Sequence, residues 1–598
     1  MCTDSTSQVT INVRVNGYSG RWDIRGVTGN EASYGTQHGD RDAILVGVGS
    51  TYSLAVGISA SSFQFTVTPD GIELNTQASK SATSVGHTLE LRNTSVQIDV
   101  ADFTGLWGLA GVHSVPYPNV EGTTAVVLVP GIRYEMMVGY DGRFGFTVNG
   151  DGTITLHDQV PAENTGNGMR FRTCRIHVDT ASFSVGLCGI SYLDVRPYPK
   201  VAGPRDYVVV VGLRYQFRVG YHGIFHFSVD AFGNVRLDDS ALGSASAQGN
   251  TLTLRSKFIT VDGIACPSMN WGIGYITARP YPRAMGRAEV LIVPELRYEF
   301  MVGFDGRFFV DVGIDGRIAG ISSPKSADID NFTTPSVLKL KRTPIHVRVG
   351  QYAGPWGIAY LLGTVDTGDR PIAHGDTIQQ QPLLVVPGIR YLFKVGNGSF
   401  FFDVDDKGNI FIPPASVQSA EAKGNTLVLK NVVVHVSDVD LAASFWRNWT
   451  GAVPETPTEI CFVPGVTYAL PDTEEAPIEF EVVADESKSG HGMIRTLNTA
   501  AIISEFGRDA NSLEVNWKWF AIEASGDRLP RVAGCVKEGN SMNQKGLIPS
   551  GTYVISSGDD EDAQFMRFVC LGSETLPDTF QIAGCQVRIR SIAEHGGN

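Results

Sequence analysis

Residues 129–154 read VPGIRYEMMVGYDGRFGFTVNGDGTI, a run in which apolar residues alternate with polar ones between glycine-containing turns. Alternation with a period of two is typical of β-strands, because successive side chains point to opposite faces of a sheet. A close copy occupies residues 293–318 as VPELRYEFMVGFDGRFFVDVGIDGRI. The stretch therefore predicts strands joined by tight turns, and its copy predicts an internal repeat.

A turn followed by a tyrosine marks every copy of this repeat. The marker tyrosines are Tyr52, Tyr134, Tyr215, Tyr298, Tyr391, Tyr468 and Tyr553, and subtraction places them 82, 81, 83, 93, 77 and 85 residues apart. We therefore predict seven repeats of about 83 residues each. They span residues 1–94, 95–174, 175–256, 257–342, 343–431, 432–516 and 517–598, and the last two are divergent in sequence.

Each repeat has room for six or seven short alternating strands, which predicts an all-β fold. A propeller blade typically needs only about 40–50 residues, so we expect an antiparallel β-sandwich or small barrel in each repeat. No linker rich in proline or serine separates the copies, so neighbouring repeats should be in direct contact. The segment TLNTAAIISEFG, residues 496–507, is the single stretch that we expect to form a helix.

The net charge, the apolar stretches and the amino-terminal sequence indicate which partners and which compartment to expect. The formal charge is −14, and no run of lysine and arginine is present to neutralise phosphates, so we expect no nucleic-acid partner. No stretch of about 18 apolar residues occurs, so we expect no membrane insertion. No signal peptide is visible at the amino terminus, which favours the cytoplasm. An extracellular or particle-associated location by a non-classical route is the alternative.

The two Asp-Gly pairs of the opening stretch, Asp141-Gly142 and Asp151-Gly152, could be calcium ligands or turn residues. An EF-hand loop needs a glutamate at its end, and none follows Asp151 at that spacing. The equivalent turns of the other repeats keep the glycine and vary the acid. We therefore predict hairpin turns in which glycine takes a positive φ, with no metal or other cofactor, and calcium is the alternative.

The motif Pro-Tyr-Pro recurs in repeats 2, 3 and 4 and offers the best candidate for a binding surface. It places Tyr117, Tyr198 and Tyr281 between prolines that fix an extended backbone, and Arg196 and Arg279 precede it in two copies. Tyrosines held in this way lose little freedom on binding and are favoured at recognition surfaces. The alternative is that each tyrosine folds back and caps the edge of its own sandwich.

Two further sets of residues are weaker candidates. His38-Gly-Asp40 and His374-Gly-Asp376 occupy matching loops of repeats 1 and 5. None of the common hydrolase, nucleotide or metalloprotease motifs is present. If the chain were an enzyme, the insertion in repeat 6 would be the place to look, and it holds Asp485, Ser487, Ser489 and His491.

The tryptophans Trp107, Trp271 and Trp356 also recur at one position, and a residue repeated at one strand position is more typical of a core than of a binding site.

The sequence thus indicates a non-catalytic recognition protein, in which an array of β-sandwich modules binds glycans or a repetitive surface. A subunit that self-associates into a fibre, shell or virion is the second hypothesis. A hydrolase with its site in the divergent C-terminal repeats is the third.

Overall fold

The computed structural model describes most of the first five repeats and part of repeats 6 and 7. The described residues are 7–27, 41–57, 62–114, 116–157, 161–183, 185–194, 196, 198–266, 269–361, 373–374, 382–470 and 479–496, followed by the strand residues 512–513, 518–524, 531–533, 536–538, 544–547, 552–556, 565–569, 580–582 and 585–591. Almost all of their regular structure is β, as the sequence predicts.

Repeats 2, 3 and 4 share one plan of eight strands in their described residues. Repeat 2 contains β9 (Thr94–Asp99), β10 (Trp107–Leu109), β11 (Thr124–Leu128), β12 (Arg133–Val138), β13 (Gly142–Val148), β14 (Ile154–Leu156), β15 (Ala162–Asn164) and β16 (Gly168–Phe171). Repeat 3 contains β17 (Thr173–Asp179), β18 (Cys188–Ile190), β19 (Arg205–Val210), β20 (Arg214–Val219), β21 (Gly223–Val229), β22 (Val235–Leu237), β23 (Ala245–Gln248) and β24 (Thr251–Leu254). Repeat 4 contains β25 (Lys257–Asp262), β26 (Trp271–Ile273), β27 (Arg287–Ile292), β28 (Arg297–Val302), β29 (Gly306–Val312), β30 (Ile318–Ile321), β31 (Ala327–Asp330) and β32 (Val337–Leu340).

Repeats 1 and 5 follow the same order of strands. Repeat 1 contains β1 (Gln8–Arg14), β2 (Trp22–Gly26), β3 (Arg41–Gly47), β4 (Thr51–Val56), β5 (Ser62–Thr68), β6 (Gly71–Leu74), β7 (Ala82–Val85) and β8 (Thr88–Leu91). Repeat 5 contains β33 (Thr343–Arg348), β34 (Pro355–Ile358), β35 (Ala373–His374), β36 (Leu383–Val385), β37 (Ile389–Val395), β38 (Gly398–Val404), β39 (Ile410–Phe411), β40 (Ala420–Lys423) and β41 (Thr426–Leu429). Short 3-10 helices lie at Ala78–Lys80, Ala181–Phe183, Asp239–Ala241 and Pro414–Ser416.

The divergent repeats keep two sheets each among their described residues. Repeat 6 contains β42 (Val432–Val436), α1 (Val439–Thr450), β43 (Glu459–Phe462), β44 (Val466–Ala469), β45 (Glu479–Ala484), β46 (Gly492–Thr496) and β47 (Ser512–Leu513). Repeat 7 contains β48 (Lys518–Ala524), β49 (Arg531–Ala533), β50 (Val536–Glu538), β51 (Gln544–Leu547), β52 (Thr552–Ser556), β53 (Phe565–Val569), β54 (Phe580–Ile582) and β55 (Cys585–Ser591).

The strands of each of the first five repeats form a pair of sheets. In repeat 2 the sheets have the orders β11-β9-β16-β15 and β10-β12-β13-β14, and repeats 1, 3 and 4 repeat these orders. In each of the first five repeats, the first strand runs parallel to the last strand, as β9 does to β16, and the other strand pairings are antiparallel. This parallel pair closes the repeat and is a feature that alternation in the sequence does not reveal.

The strands β9 and β17 begin close to the predicted limits of their repeats. They start at Thr94 and Thr173, one and two residues before those limits, which stay predictions.

The marker tyrosines owe their recurrence to a hydrogen-bonded corner in the core. The side chain of Tyr134 is buried, its hydroxyl accepts a 2.8 Å hydrogen bond from the amide of Val129, and it donates to the carbonyl of the same residue. Tyr298 makes the same pair of bonds with Val293. A buried hydroxyl without partners would be costly, so the corner satisfies the tyrosine and fixes the turn before it. Buried corners of this kind also occur at Tyr52, Tyr215, Tyr391 and Tyr468.

The recurrent tryptophans lie in the core as predicted. Trp107, Trp271 and Trp356 are buried, and the indole N–H of Trp107 donates to the carbonyl of Gly122. One continuous apolar cluster extends from Ile11 to Ile494, so neighbouring repeats share their cores across this part of the chain. Within the described residues, no helix is long and apolar enough to span a membrane.

The two Asp-Gly pairs of the opening stretch form turns for different reasons. Gly152 has a φ of +86°, as the prediction requires. Gly142 does not, and the left-handed residue of its turn is Gly139, with a φ of +62°. A Cβ atom on Gly142 would lie 2.5 Å from the carbonyl oxygen of Val138 and 3.0 Å from the side chain of Leu213 in the next repeat. The expectation that Gly142 supplies a positive φ is therefore wrong, and glycine is needed there because the backbone of its own turn and the next repeat both lie close to it.

The helix α1, Val439–Thr450, was not predicted from the sequence. The carboxylate of Asp438 caps its first turn by accepting from two backbone amides, and Gly451 ends it with a φ of +76°. Its Trp449 lies 5.4 Å, between ring centroids, from Tyr352 of repeat 5. The helix thus packs on the neighbouring repeat. Of the segment predicted to be helical, Thr496 ends β46, and residues 497–507 lie outside the described residues.

Candidate functional site: aromatic clusters between repeats

The tyrosines of the Pro-Tyr-Pro motifs lie at the surface and each stacks on two other aromatic rings. Tyr117 is 44% exposed and Tyr281 is 36% exposed, while Tyr198 is half-buried. Each of the three rings contacts one ring of its own repeat and one ring of the next repeat. The candidate tyrosines therefore do fold back, but onto the junction with the next repeat as well as onto their own sandwich. We call each set of three rings an aromatic cluster.

The first aromatic cluster joins repeat 2 to repeat 3. The centroid of Tyr117 lies 5.6 Å from that of Tyr140 and 5.2 Å from that of Tyr192. Tyr140 and Tyr192 are 5.9 Å apart, and all three interplanar angles are between 23° and 33°. The rings are thus tilted little from one another, at distances typical of favourable aromatic pairs.

The second and third clusters repeat this arrangement one and two repeats further along. Tyr198 stacks on Tyr221 and Tyr275 at 4.6 and 5.0 Å, and its hydroxyl lies 2.7 Å from that of Tyr221. At the next junction, Tyr281 contacts Phe304 and Tyr360 at 5.5 and 5.1 Å. The clusters therefore recur at three successive junctions.

The ring that comes from the next repeat sits on a strained backbone. Tyr192, Tyr275 and Tyr360 have φ values of +64°, +59° and +63°, in the left-handed region that bulky residues rarely adopt. The carbonyl of each accepts a hydrogen bond from the previous repeat: from the amide of Leu106 at 2.8 Å, of Leu187 at 2.9 Å and of Asn270 at 3.2 Å. Such strain persists only where the surroundings impose it. Here the bond between repeats and the stacked rings impose it together.

Among the described residues, the clusters occur only where a Pro-Tyr-Pro motif, a second ring of the same repeat and a strained tyrosine of the next repeat coincide. Repeat 1 has no Pro-Tyr-Pro motif, and the next repeat carries Gly111, with a φ of +77°, where the others carry the strained tyrosine. Repeat 5 also lacks the motif, and Asn397 stands where repeats 2 to 4 carry Tyr140, Tyr221 and Phe304. This co-occurrence is visible in the sequence, and it is the signal that could have identified the six partner rings.

The two candidate arginines reach across the same junctions. Arg196 of repeat 3 forms an ion pair of 2.6 Å with Glu121 of repeat 2, and both side chains are exposed. Arg279 of repeat 4 donates a 2.7 Å hydrogen bond to the carbonyl of Val185 in repeat 3. Both arginines thus bond the preceding repeat. The ion pair of Arg196 is exposed and contributes little to stability.

The electrostatics of the clusters favour neutral hydroxyls. Burial raises the pKa of Tyr140, Tyr192 and Tyr275 above the ordinary value for tyrosine. The hydrogen bond with Tyr198, followed by burial, raises the pKa of Tyr221 to about 12. At neutral pH the clusters therefore offer neutral aromatic rings with hydroxyl groups that can donate and accept hydrogen bonds.

The polar side chains beside the rings differ from one junction to the next. Next to the second cluster, the buried carboxylate of Glu299 bonds Arg307 at 2.8 Å and lies 3.5 Å from the imidazole of His222. Next to the first cluster, Gln216 and Arg218 occupy this region. The third cluster is bordered by the apolar side chains of Ala359, Leu392 and Phe401.

The structure describes only some of the weaker candidate residues. His38, Asp40 and Asp376 lie outside the described residues, and His374 belongs to β35, where its backbone pairs with Pro355 of β34. In repeat 6, the carboxylate of Asp485 accepts two bonds from Ser487, at 2.8 Å from the amide and 2.7 Å from the hydroxyl. This is a side-chain-stabilised turn between β45 and β46.

The aspartates weighed as calcium ligands also have local partners. The carboxylate of Asp151 accepts from the amide and the hydroxyl of Thr153, and that of Asp141 lies 3.0 Å from His226 of repeat 3. Among the residues that the structure describes, no group of three or more His, Cys, Asp or Glu side chains is placed to hold a metal ion. Asp151 thus stabilises its own turn, whereas Asp141 contacts the next repeat.

Comparison with known proteins yields one similar structure. No protein-family model and no curated protein matches the chain. Among solved structures, the pilus adhesin SpaC from Lactobacillus rhamnosus GG aligns with 11% sequence identity and a TM-score of 0.13. The alignment covers 56% of this chain and 43% of the adhesin. A similarity this low supports no inference about activity.

Proposed function

We propose that this chain is a non-catalytic recognition protein, in which successive β-sandwich repeats present aromatic clusters to glycans or to another repetitive surface. The observation that carries the proposal is that three clusters of the same geometry recur at successive junctions, each with a partly exposed tyrosine. A cluster that served only as packing would gain from complete burial, whereas Tyr117 and Tyr281 keep 44% and 36% of their surface exposed.

The chemistry of the clusters suits sugar rings. The face of an aromatic ring is electron-rich and attracts the polarised C–H groups on one side of a pyranose. Tyrosine hydroxyls at the edge of the cluster can hydrogen-bond to the sugar hydroxyls. Because each tyrosine is already fixed by two neighbouring rings, little side-chain freedom is lost on binding.

Repetition adds avidity if the ligand is repetitive too. A second and third cluster on the same chain convert later contacts into intramolecular ones, so that weak single sites bind strongly together. The shared core and the backbone bonds between repeats hold the clusters in a constant relation to one another. Such an array fits a polymer or a surface lattice better than a small free molecule.

The same junctions support the second hypothesis, a structural subunit. Continuous cores and backbone hydrogen bonds from repeat to repeat are what a spacer or fibre subunit requires. In that case the clusters would stiffen the chain, and recognition would occur by self-association. Concentration-dependent assembly, measured by light scattering, is expected of the structural subunit and not of the recognition protein.

A glycan array with the full chain tests the proposal. We expect binding to one class of glycan, and loss of that binding when Tyr117, Tyr198 and Tyr281 are all changed to alanine. The matched control is Phe232→Ala with Phe332→Ala, which removes two highly exposed aromatic rings away from the clusters. Near-ultraviolet circular dichroism verifies that both variants remain folded. Binding that survives in a folded triple variant would exclude the clusters as the site.

A further inference from the structure

The third aromatic cluster differs from the other two in the second ring of its own repeat. Phe304 stands there in place of Tyr140 and Tyr221. In the second cluster, the hydroxyls of Tyr198 and Tyr221 lie 2.7 Å apart and share a hydrogen bond. Phe304 carries no hydroxyl, so it leaves the hydroxyl of Tyr281 without this partner, on a ring that is 36% exposed. The third cluster therefore presents an apolar ring beside a tyrosine hydroxyl.

The buried side chains beside the clusters change in the same direction. Next to the first cluster, Ser191 and Gln216 are buried and form a side-chain hydrogen bond of 2.9 Å. Next to the second, Glu299 places a buried carboxylate. The equivalent positions of repeat 5 hold Ala359 and Leu392, which are also buried. Neither has a polar side-chain atom, so a polar group that enters the third cluster finds no hydrogen-bond partner in them.

Two phenylalanines complete this apolar surface. Phe304 and Phe401 both pack against Ala359, Tyr360 and Leu392, and each ring is half-buried, so part of it reaches solvent. An apolar group of a ligand gains here by leaving water. A hydroxyl group placed against Phe304 would instead lose its hydrogen bonds to water and find no replacement in that ring. The third cluster thus favours a ligand that combines an apolar group with at least one hydroxyl.

We propose that the third aromatic cluster binds a 6-deoxyhexose, a sugar in which a methyl group takes the place of the hydroxymethyl group. The methyl group would lie against Phe304 and Phe401, and a hydroxyl of the sugar ring would bond the hydroxyl of Tyr281. This inference rests on the recognition function proposed above and specifies its ligand class at one of the three clusters. An N-acetylated sugar also carries a methyl group, but its amide needs hydrogen-bond partners that Phe304 and Leu392 do not supply.

The test uses the full chain with Tyr117→Ala and Tyr198→Ala, which disrupt the first and second clusters and leave the third intact. Isothermal titration calorimetry compares methyl L-fucoside with methyl L-galactoside, which differ only in one hydroxyl group. We expect the fucoside to bind about fivefold more tightly, which is less than an enclosed apolar pocket achieves, because the rings are partly exposed.

Variants at the third cluster assign this preference to its residues. Phe304→Tyr introduces the residue of the other two clusters and should remove the preference. Phe332→Tyr is the matched control, because it makes the same chemical change on an exposed ring of the same repeat, and the preference should persist. Tyr281→Ala should weaken the binding of both glycosides, because it removes both the exposed ring and its hydroxyl.

The outcomes separate the two levels of the proposal. Equal affinity for the two glycosides, or a preference that persists in Phe304→Tyr, would overturn the deoxyhexose assignment and leave sugar recognition in place. Tighter binding of methyl N-acetylglucosaminide than of the fucoside would identify an acetamide as the recognised group and also overturn the assignment. If neither glycoside binds, the assignment fails, and if the glycan array is negative as well, the recognition function fails with it.

Discussion

The amide of Leu106 in repeat 2 donates a 2.8 Å hydrogen bond to the carbonyl of Tyr192 in repeat 3, whose backbone has a φ of +64°. The left-handed conformation turns that carbonyl toward the previous repeat, and the tyrosine ring stacks on Tyr117 and Tyr140 of the same repeat. One residue therefore joins two repeats through both its backbone and its side chain. The same device occurs at Tyr275 and Tyr360.

Replacing Tyr192 separates the contribution of its backbone from that of its ring. Tyr192→Ala loses the ring and keeps the left-handed strain, whereas Tyr192→Gly loses the ring and relieves the strain by about 1 kcal/mol. We therefore expect the amide of Leu106 to exchange with deuterium about fivefold faster in the alanine variant than in the glycine variant. Equal exchange in the two variants would show that the positive φ costs nothing here.

Glycine at the start of β29 is predicted to be essential for the junction between repeats 4 and 5. A Cβ atom on Gly306 would overlap the side chain of Ile389 and lie 2.5 Å from the carbonyl oxygen of Val302. We expect Gly306→Ala to destabilise this junction by about 1–3 kcal/mol, seen as a lower urea midpoint in tryptophan fluorescence. Gly320→Ala, in an open position on β30, should leave the midpoint unchanged. An unaltered midpoint in Gly306→Ala would mean that the repeats separate easily.

The hydrogen bond between Tyr198 and Tyr221 should be detectable by titration. It is the largest cause that raises the pKa of Tyr221 to about 12, so Tyr198→Phe should move this pKa toward the ordinary value of about 10. Because the pKa is raised in the folded state, the stability linked to it is present below pH about 10 and decreases as the pH rises toward 12. Ultraviolet absorbance of ionised tyrosine measures the shift, and Tyr117→Phe is the control. A Tyr221 pKa that stays near 12 in Tyr198→Phe would contradict the assignment.

In repeat 3, Cys188 takes the place of the core tryptophan, and Tyr207 takes the place of a smaller core valine. Tyr207 is buried there, where repeats 2 and 4 carry the smaller Val126 and Val290. Burial, followed by the nearby carboxylate of Asp194, raises the pKa of Tyr207. The two changes are thus complementary in volume.

A double-mutant cycle tests this compensation. Cys188→Trp should overpack the core and cost about 1–3 kcal/mol, and Tyr207→Val should leave a cavity and cost about 2–4 kcal/mol. The double variant restores the pair found in repeats 2 and 4, so it should be at least about 1 kcal/mol more stable than the sum of the single effects predicts. Additive effects on the thermal midpoint would mean that Cys188 and Tyr207 do not share one space.

The alternating residues and the marker tyrosines predicted the all-β repeat architecture because both report on the inside and outside of a strand. The parallel pairing of β9 with β16 could not be predicted in this way, since alternation is the same in either direction. The helix α1 was missed because Val439–Thr450 follows a strand-like run, although Asp438 and Gly451 are ordinary capping residues. For Gly142, the repeat pattern showed that glycine is required but not that close contacts with Val138 and with the next repeat are the reason.

For the candidate site, the sequence indicated the Pro-Tyr-Pro tyrosines but not their partners. Tyr140 lies in a later turn of the same repeat as Tyr117, and Tyr192 lies in the next repeat. The sequence around Tyr117 therefore does not indicate that either ring contacts it. Only the fold places the turn of one repeat against the strained residue of the next. The hydrogen bond from Arg218 to Ser191 is likewise a product of packing, because Arg218 lies on β20 and Ser191 follows β18.

The junction residues also define which repeats can be neighbours. Repeats 3 and 4 each contact the preceding repeat with a strained tyrosine and the following repeat with a Pro-Tyr-Pro motif, so we call them propagating units. Repeat 2 has Gly111 in place of the strained tyrosine and is the first member of the series, whereas repeat 5 has Tyr360 but ends the series with Asn397. A duplication or deletion of one propagating unit would leave the aromatic cluster of every junction complete. The central array can therefore lengthen or shorten by whole repeats, with its first and last members unchanged.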